Sequence, residues 1–166
     1  MPVTEDRERL DRVLRSSGDA AGNPGPDEMR RLIRRVERIA VVGMSRDPMK
    51  AARRVPSYLA AMGADIIPVN PAAGRMLGKT ARATLEDVLE PVDMVLIFRP
   101  SSVVAPFVRA AAARPEAPVI WLQEGIRDDQ AAAEARAAGR TVVQDLCIYR
   151  VHRAMGGTLR RGLRRD

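Results

Sequence analysis

A doubly wound α/β domain, with a five-stranded, mostly parallel sheet and helices on both faces, is the architecture this 166-residue sequence predicts. Three observations carry the prediction. Short apolar runs alternate with helix-period stretches about five times, at spacings suited to right-handed parallel crossovers. The first run, Ile39-Ala-Val-Val-Gly43, has no polar member, as expected of a strand covered on both faces. Breakers stand where elements must stop, at Gly43, Gly63, Asn70-Pro71 and Gly139.

Residues 4–16 read as a helix. Thr4 can cap it and the acids at 5, 6 and 8 suit its first turn, but Val13 and Leu14 give a thin apolar face that leaves it free to move. Residues 16–26, Ser-Ser-Gly-Asp-Ala-Ala-Gly-Asn-Pro-Gly-Pro, form a linker of breakers. A second helix begins at Asp27 and presents Met29, Leu32, Ile33 and Val36 as one buried stripe. Strands are expected at 39–43, 65–69, 92–98, 118–122 and 141–143. The helix at 52–62 turns Val55, Tyr58, Leu59 and Met62 to one side. Residues 72–83 read as a loop turning at Gly74 and Gly78, and Thr84 caps a short helix to Leu89. Ser101 or Ser102 caps the next helix, with Pro106 in its first turn and Phe107, Val108 and Ala111 along it. Asp128 caps a helix that Gly139 stops, and a last helix covers 146–155 with Cys147 inside it. Trp121 belongs in the core. The chain thus divides into an N-terminal helix and flexible linker (1–26), the α/β domain (27–156) and a basic tail (157–166).

Composition bounds the function. A hydrophobic content of 46% with 30% charged residues fits a globular chain. One cysteine, Cys147, and one histidine, His152, exclude an internal disulfide framework and a zinc site built mainly from those ligands. No apolar run approaches the ~20 residues of a membrane span, and the N-terminus lacks the apolar core of a secretory signal. A cytoplasmic protein is expected, with no membrane partner and with nucleic acid not favoured as one. The net charge of +7 lies partly in the tail, where Arg160, Arg161, Arg164 and Arg165 cluster. That tail reads as a solvated end first, and as a weak contact for nucleic acid or an acidic surface second.

Ligands on doubly wound sheets bind beyond the carboxyl ends of the strands. After the first strand come Gly43, Met44 and Ser45, then Arg46, Lys50, Arg53 and Arg54. A glycine turn, a hydroxyl and cations running into a helix start suit a phosphate. The dinucleotide fingerprint Gly-x-Gly-x-x-Gly is missing, since no glycine follows Gly43 until Gly63. The second strand ends in Asn70-Pro71, not in the acid that would bond the ribose of NAD. The third ends in Phe98-Arg99-Pro100-Ser101, with Arg99 able to pair with a phosphate. The fourth ends in Gln123-Glu124-Gly125-Ile126, an edge suited to an amide-bearing chain. At the fifth, Asp145, Cys147 and His152 lie close in sequence, a conceivable catalytic set.

These strand ends together resemble the small stand-alone CoA-binding domain family, whose Rossmann-like domain is similar to that of succinyl-CoA synthetase alpha subunits and NDP-forming acyl-CoA synthetases. The resemblance rests on Ile39-Ala-Val-Val-Gly-Met-Ser45, Ile67-Pro-Val-Asn-Pro71, Leu77-Gly78, Val92-Asp93, Phe98-Arg99, Trp121-Leu-Gln-x-Gly-Ile126 and Asp145-x-Cys147, spanning residues 28 to 155. It implies coenzyme A or an acyl-CoA as ligand. Gly43 to Ser45 with Lys50, Arg53 and Arg54 would face the diphosphate, and Asn70 and Pro71 the adenosine. Phe98 to Ser101 would flank the adenine or the start of pantetheine, and Gln123 to Ile126 the thiol end. The chain departs from the family pattern at Ala51-Ala52, where a serine often follows the loop lysine. It departs again at Ala72, where a lysine often follows Asn-Pro and Arg75 stands as a substitute. The preferred reading is a CoA-binding protein without catalysis of its own, compatible with a homodimer. The alternatives are an acyl-CoA-dependent transferase or hydrolase using Cys147 or His152, and a regulatory nucleotide-binding module whose tail meets a partner.

Overall fold

The computed structural model describes residues 2–16, 22–72 and 74–156. The tail with its four arginines and the linker residues 17–21 lie outside them. Five strands, β1 (Arg38–Val42), β2 (Asp65–Val69), β5 (Met94–Ile97), β6 (Val119–Leu122) and β7 (Val142–Val143), form one sheet in the order β2-β1-β5-β6-β7. Every pairing is parallel. The chain leaves β1 to one side to make β2, then returns to the other side to make β5. The carboxyl ends of β1 and β5 are therefore the point where the strand order switches, the place such sheets leave open for a ligand.

Alternation along each strand sorts its side chains onto two faces. Ile39 and Val41 of β1, Met94 and Leu96 of β5, and Trp121 of β6 enter one apolar layer. The helices α1 (Pro2–Arg15), α2 (Pro26–Arg34), α3 (Ala51–Ala61) and α6 (Ile148–Ala154) cover that layer. Ala40, Val42, Val95, Ile97, Ile120 and Leu122 enter the other, under α4 (Ala105–Ala112) and α5 (Asp129–Ala137). Burial on both faces explains why the strands read as unbroken apolar runs. Trp121 is fully buried, and its Nε1 donates to the Leu146 carbonyl at 2.8 Å.

The structure departs from the sequence reading at four places. First, α1 is docked. Leu10 is fully buried in the layer that α6 shares, and Val13 and Leu14 pack against it. Leu10, together with Val13 and Leu14, widens the stripe, and helical spacing put it there. Second, the loop after β2 folds into a small antiparallel hairpin, β3 (Arg75–Met76) and β4 (Lys79–Thr80), turning through Leu77 and Gly78, both at positive φ. Third, neither Ser101 nor Ser102 caps α4. A 3-10 turn at Ser101–Val103 precedes the helix, and the Ser101 Oγ accepts from Arg127 N at 3.0 Å instead. Fourth, α6 starts at Ile148, so Cys147 is its N-cap residue and not an interior one. Asp128 caps α5 as expected, accepting from Ala131 N at 3.0 Å.

At the β7 edge Asn23 imitates a neighbouring strand. Its Nδ2 donates to the Gln144 carbonyl and its Oδ1 accepts from Gln144 N, each at 2.9 Å. A side-chain amide carries the same donor–acceptor pair as a peptide, so it closes an edge that would otherwise stay open. Among the described residues no helix is long and apolar enough to cross a membrane.

Candidate functional site

A cleft of about 580 Å³ opens at the carboxyl ends of β1, β2 and β5. Its floor is Val42, Gly43 and Val69, and Asn70, Pro71 and Ala72 form one rim. Residues 83–86 make a second wall, and Arg99, Pro106, Phe107 and Ala110 a third.

The floor depends on Gly43. It adopts φ +79°, and a Cβ there would meet the Phe98 carbonyl oxygen at 2.8 Å. The β1 and β5 ends approach too closely for a side chain, which is the physical reason for a glycine at the strand end. Gly43 N donates to the Val69 carbonyl at 2.9 Å, which ties the floor to β2. Asn70 holds the rim from both ends of its amide. Nδ2 donates to the Met44 carbonyl at 2.8 Å, and Oδ1 accepts from Ala72 N at 2.9 Å. An aspartate could not make the first of these bonds.

The loop from Gly43 to α3 is internally bonded. Ser45 Oγ accepts from Asp47 N at 3.0 Å, and Asp47 Oδ1 accepts from Met49 N at 2.9 Å. Ser45 N donates to the Ala52 carbonyl at 3.1 Å, and the cause is Pro56. A helical residue at 56 would donate to that carbonyl, but proline has no N–H to give. The unclaimed helix carbonyl thus takes the loop amide and moors Ser45 to α3. No sequence pattern marks Pro56 as functional beyond its offset of four from Ala52.

The second wall hangs on two arginines that no local pattern marks. Arg114 donates to the carbonyls of Leu85, Val88 and Glu90 at 3.0–3.1 Å and pairs with Glu116. Burial raises the Glu116 pKa, but hydrogen bonds from Val92 N and Arg114 outweigh it and hold the carboxyl below its ordinary value. Arg82 N donates to the Pro68 carbonyl at 2.9 Å, and its guanidinium forks onto Glu90 with both bonds at 3.1 Å. That fork lowers the Glu90 pKa. These partners lie far apart in sequence, so the wall has no one-dimensional signature. Phe107 was legible as helical but not as a wall residue, because a helix that follows a strand also starts at the strand's carboxyl end. Its ring lies under the Arg99 guanidinium, with 5.6 Å from Cζ to the centroid.

The structure places the expected site residues in three groups. Gly43, Asn70, Pro71 and Arg99 line the cleft. Ser101, Gly125 and Ile126 belong to a stitched group beside it. Ser101 holds Arg127 N, and Gly125 N donates to Asp145 Oδ1 at 2.7 Å. Ile126 packs into the α4–α5 layer, Phe98 packs against the opposite layer, and Pro100 starts the 3-10 turn. The third group, which includes the loop-bonded Ser45, does not line the cleft. Met44 is fully buried, and its carbonyl is taken by Asn70 Nδ2. Gln123 is buried, its Oε1 accepting from Ile148 N at 3.4 Å. Lys50, Arg53 and Arg54 sit around the start of α3, with no ion pair among the described residues. Arg75 donates to the Gly78 carbonyl in the hairpin, away from the cleft, so it is no substitute for a lysine after Asn-Pro.

Asp145, Cys147 and His152 have separate attachments. Asp145 accepts from Gly125 N, and Cys147 stands at the N-cap position of α6 without a side-chain cap bond. His152 is fully buried and its Nδ1 hydrogen-bonds the Tyr58 hydroxyl, while Nε2 has no partner among the described residues. Burial first, and then the charge of Arg153, lower the His152 pKa. The trio does not form a nucleophile–base–orienter chain.

A doubly wound parallel sheet with an open, part-apolar cleft at its switch point defines a Rossmann-like α/β domain, a class that leaves its strand ends open for a ligand. The chain belongs to the CoA-binding domain family, whose family model matches residues 37–153. The Bacillus subtilis (strain 168) protein YneT is 37% identical over 130 residues, 78% of this chain and 96% of that protein. A solved structure from Thermus thermophilus is 36% identical with a TM-score of 0.73, covering 78% of this chain and 97% of its own. The dinucleotide-forming acetyl-coenzyme A synthetase 1 of Ca. Korarchaeum cryptofilum shares the fold, at 22% identity and TM-score 0.56 over 66% of this chain and 26% of that one.

Proposed function

We propose that the protein binds coenzyme A or an acyl-CoA in the cleft between β1, β2 and β5, and that it does so as a binding protein. The cleft at the strand-order switch is the observation that carries this reading, and family membership agrees with it. The nucleotide end would lie across the bare backbone of Gly43. Asn70 and Pro71 would face the adenosine, and Phe107 and Leu85 offer apolar surface for a base. Arg99 has no carboxylate partner among the described residues and is free to meet a phosphate. Lys50, Arg53 and Arg54 would act as a cationic flank to the phosphates, at longer range than the sequence suggested. The stitched group at Ser101 and Gly125 would border the pantetheine arm.

Calorimetry with CoA, acetyl-CoA, dephospho-CoA, NAD and ATP side by side tests the proposal. CoA and acetyl-CoA are expected to bind at least tenfold more tightly than NAD and ATP. NAD or ATP binding as tightly as CoA would overturn it. The dephospho-CoA arm reads the contribution of the 3′-phosphate alone.

A further inference from the structure

The family match begins at residue 37, so α1 stands outside it. α1 packs on α6, and a groove of about 470 Å³ runs between them. Arg9, Arg12 and Val13 line it from α1, and Tyr149, Arg150 and Arg153 from α6. It shares no lining residue with the cleft. Arg9 holds Glu5 and Asp6, and Arg150 holds Glu124. Arg12 and Arg153 have no carboxylate partner among the described residues.

We propose that this groove binds the phosphodiester backbone of a single-stranded nucleic acid, independently of the ligand in the cleft. Guanidinium forks match phosphate oxygens two at a time, and two of the four have no competing acid. Tyr149 is 39% exposed, and its ring is braced edge-on by Tyr58 at 4.7 Å. An exposed, rigidly held aromatic ring among arginines is what a splayed base stacks on. A membrane surface fits less well, since the other large exposed apolar side chains, Met49, Leu89 and Val103, line no part of this groove. An acidic helix fits less well too, because among the described residues Val13 and Ala154 are the only aliphatic side chains lining the groove for its seam.

The test is fluorescence anisotropy with labelled mixed-sequence RNA and DNA single strands of about 20 nucleotides, over a salt series from about 50 mM. The full chain is expected to bind, with log affinity falling linearly against log salt. The double variant Arg12→Gln/Arg153→Gln is expected to flatten that slope by about 1.4, two phosphate contacts at ~0.7 each on a single strand. Arg12→Lys/Arg153→Lys should restore it. Tyr149→Ala should weaken binding roughly tenfold with the slope unchanged. Both arginines are exposed, so thermal melting should be unaffected. The RNA and DNA arms separate a reader of the 2′-hydroxyl from a backbone binder. Absence of binding at the lowest salt, an unaltered slope in the glutamine variant, or equal competition by polyglutamate would each overturn the proposal.

Discussion

Replacing Gly43 by alanine tests the geometry of the cleft floor directly. A non-glycine residue in the left-handed region costs about 1–2 kcal/mol. The added Cβ would also meet the Phe98 carbonyl at 2.8 Å and Arg99 Cδ at 3.1 Å. The first neighbour is backbone in an adjoining strand end and cannot rotate away, so overpacking adds about 1–3 kcal/mol. The sum is about 2–5 kcal/mol, a large share of the ~5–15 kcal/mol that holds a domain folded. Gly125 supplies the control. Its φ is +83°, yet a Cβ there meets nothing within 4 Å. Gly125→Ala should therefore cost only the backbone part, about 1–2 kcal/mol. Urea unfolding of the parent and both variants gives the two numbers, and their difference is the price of the β1–β5 contact. In a thermal melt Gly43→Ala should fall by on the order of 10 °C, since each kcal/mol moves a chain of this size by about 2–4 °C. Its CoA affinity should fall as well, because the strand ends must part to admit the methyl group. Equal unfolding midpoints for the two alanine variants would refute the account of a closed floor.

Three further outcomes are expected. Pro56→Ala returns an N–H that competes with Ser45 for the Ala52 carbonyl; proline costs a helix interior about 3 kcal/mol, so the melting temperature should hold or rise while CoA affinity in calorimetry drops. Arg114→Met keeps the bulk of a largely buried side chain but strips three carbonyls and Glu116 of their donor; it should cost about 3 kcal/mol in urea unfolding and weaken ligand binding through the 83–86 wall, although Arg114 itself does not line the cleft. The His152 pKa is depressed in the folded chain, so the unfolded chain binds the proton more readily and stability rises with pH. Stability should thus be full above about pH 6.5 and fall as the pH drops below it, at no more than ~1.4 kcal/mol per pH unit, a slope that His152→Gln should flatten whatever it does to the baseline.

The scaffold was written in short-range signals. Apolar runs such as 39–42, the i, i+3, i+4, i+7 stripe of α2, the Asp128 cap and Gly139 depend on neighbours a few residues away, and each appeared where expected within a residue or two. Leu10 escaped because its partner surface, α6, lies at the other end of the chain. The site divides along the same line. Gly43, Asn70, Pro71 and Arg99 stand at strand ends, and the alternation alone carries strand ends to one edge of the sheet, so all four reached the cleft. Lys50, Arg53 and Arg54 carry the loop's charge but do not line the cleft. Their side chains project from the start of α3, and an eight-residue loop bonded within itself sets where that helix begins.

The alternation of strands and helices, the parallel doubly wound class and the identity of the glycine at the first strand end follow from the amino-acid sequence, because hydrophobic periodicity and chain chirality leave few other ways to bury these runs. The walls of the cleft, the mooring of Ser45 on a carbonyl freed by Pro56, the isolation of His152 from Cys147 and the α1–α6 groove follow from three-dimensional packing. Each of these joins groups that have no local reason to meet, and only the closing of the two apolar layers brings them within bonding distance.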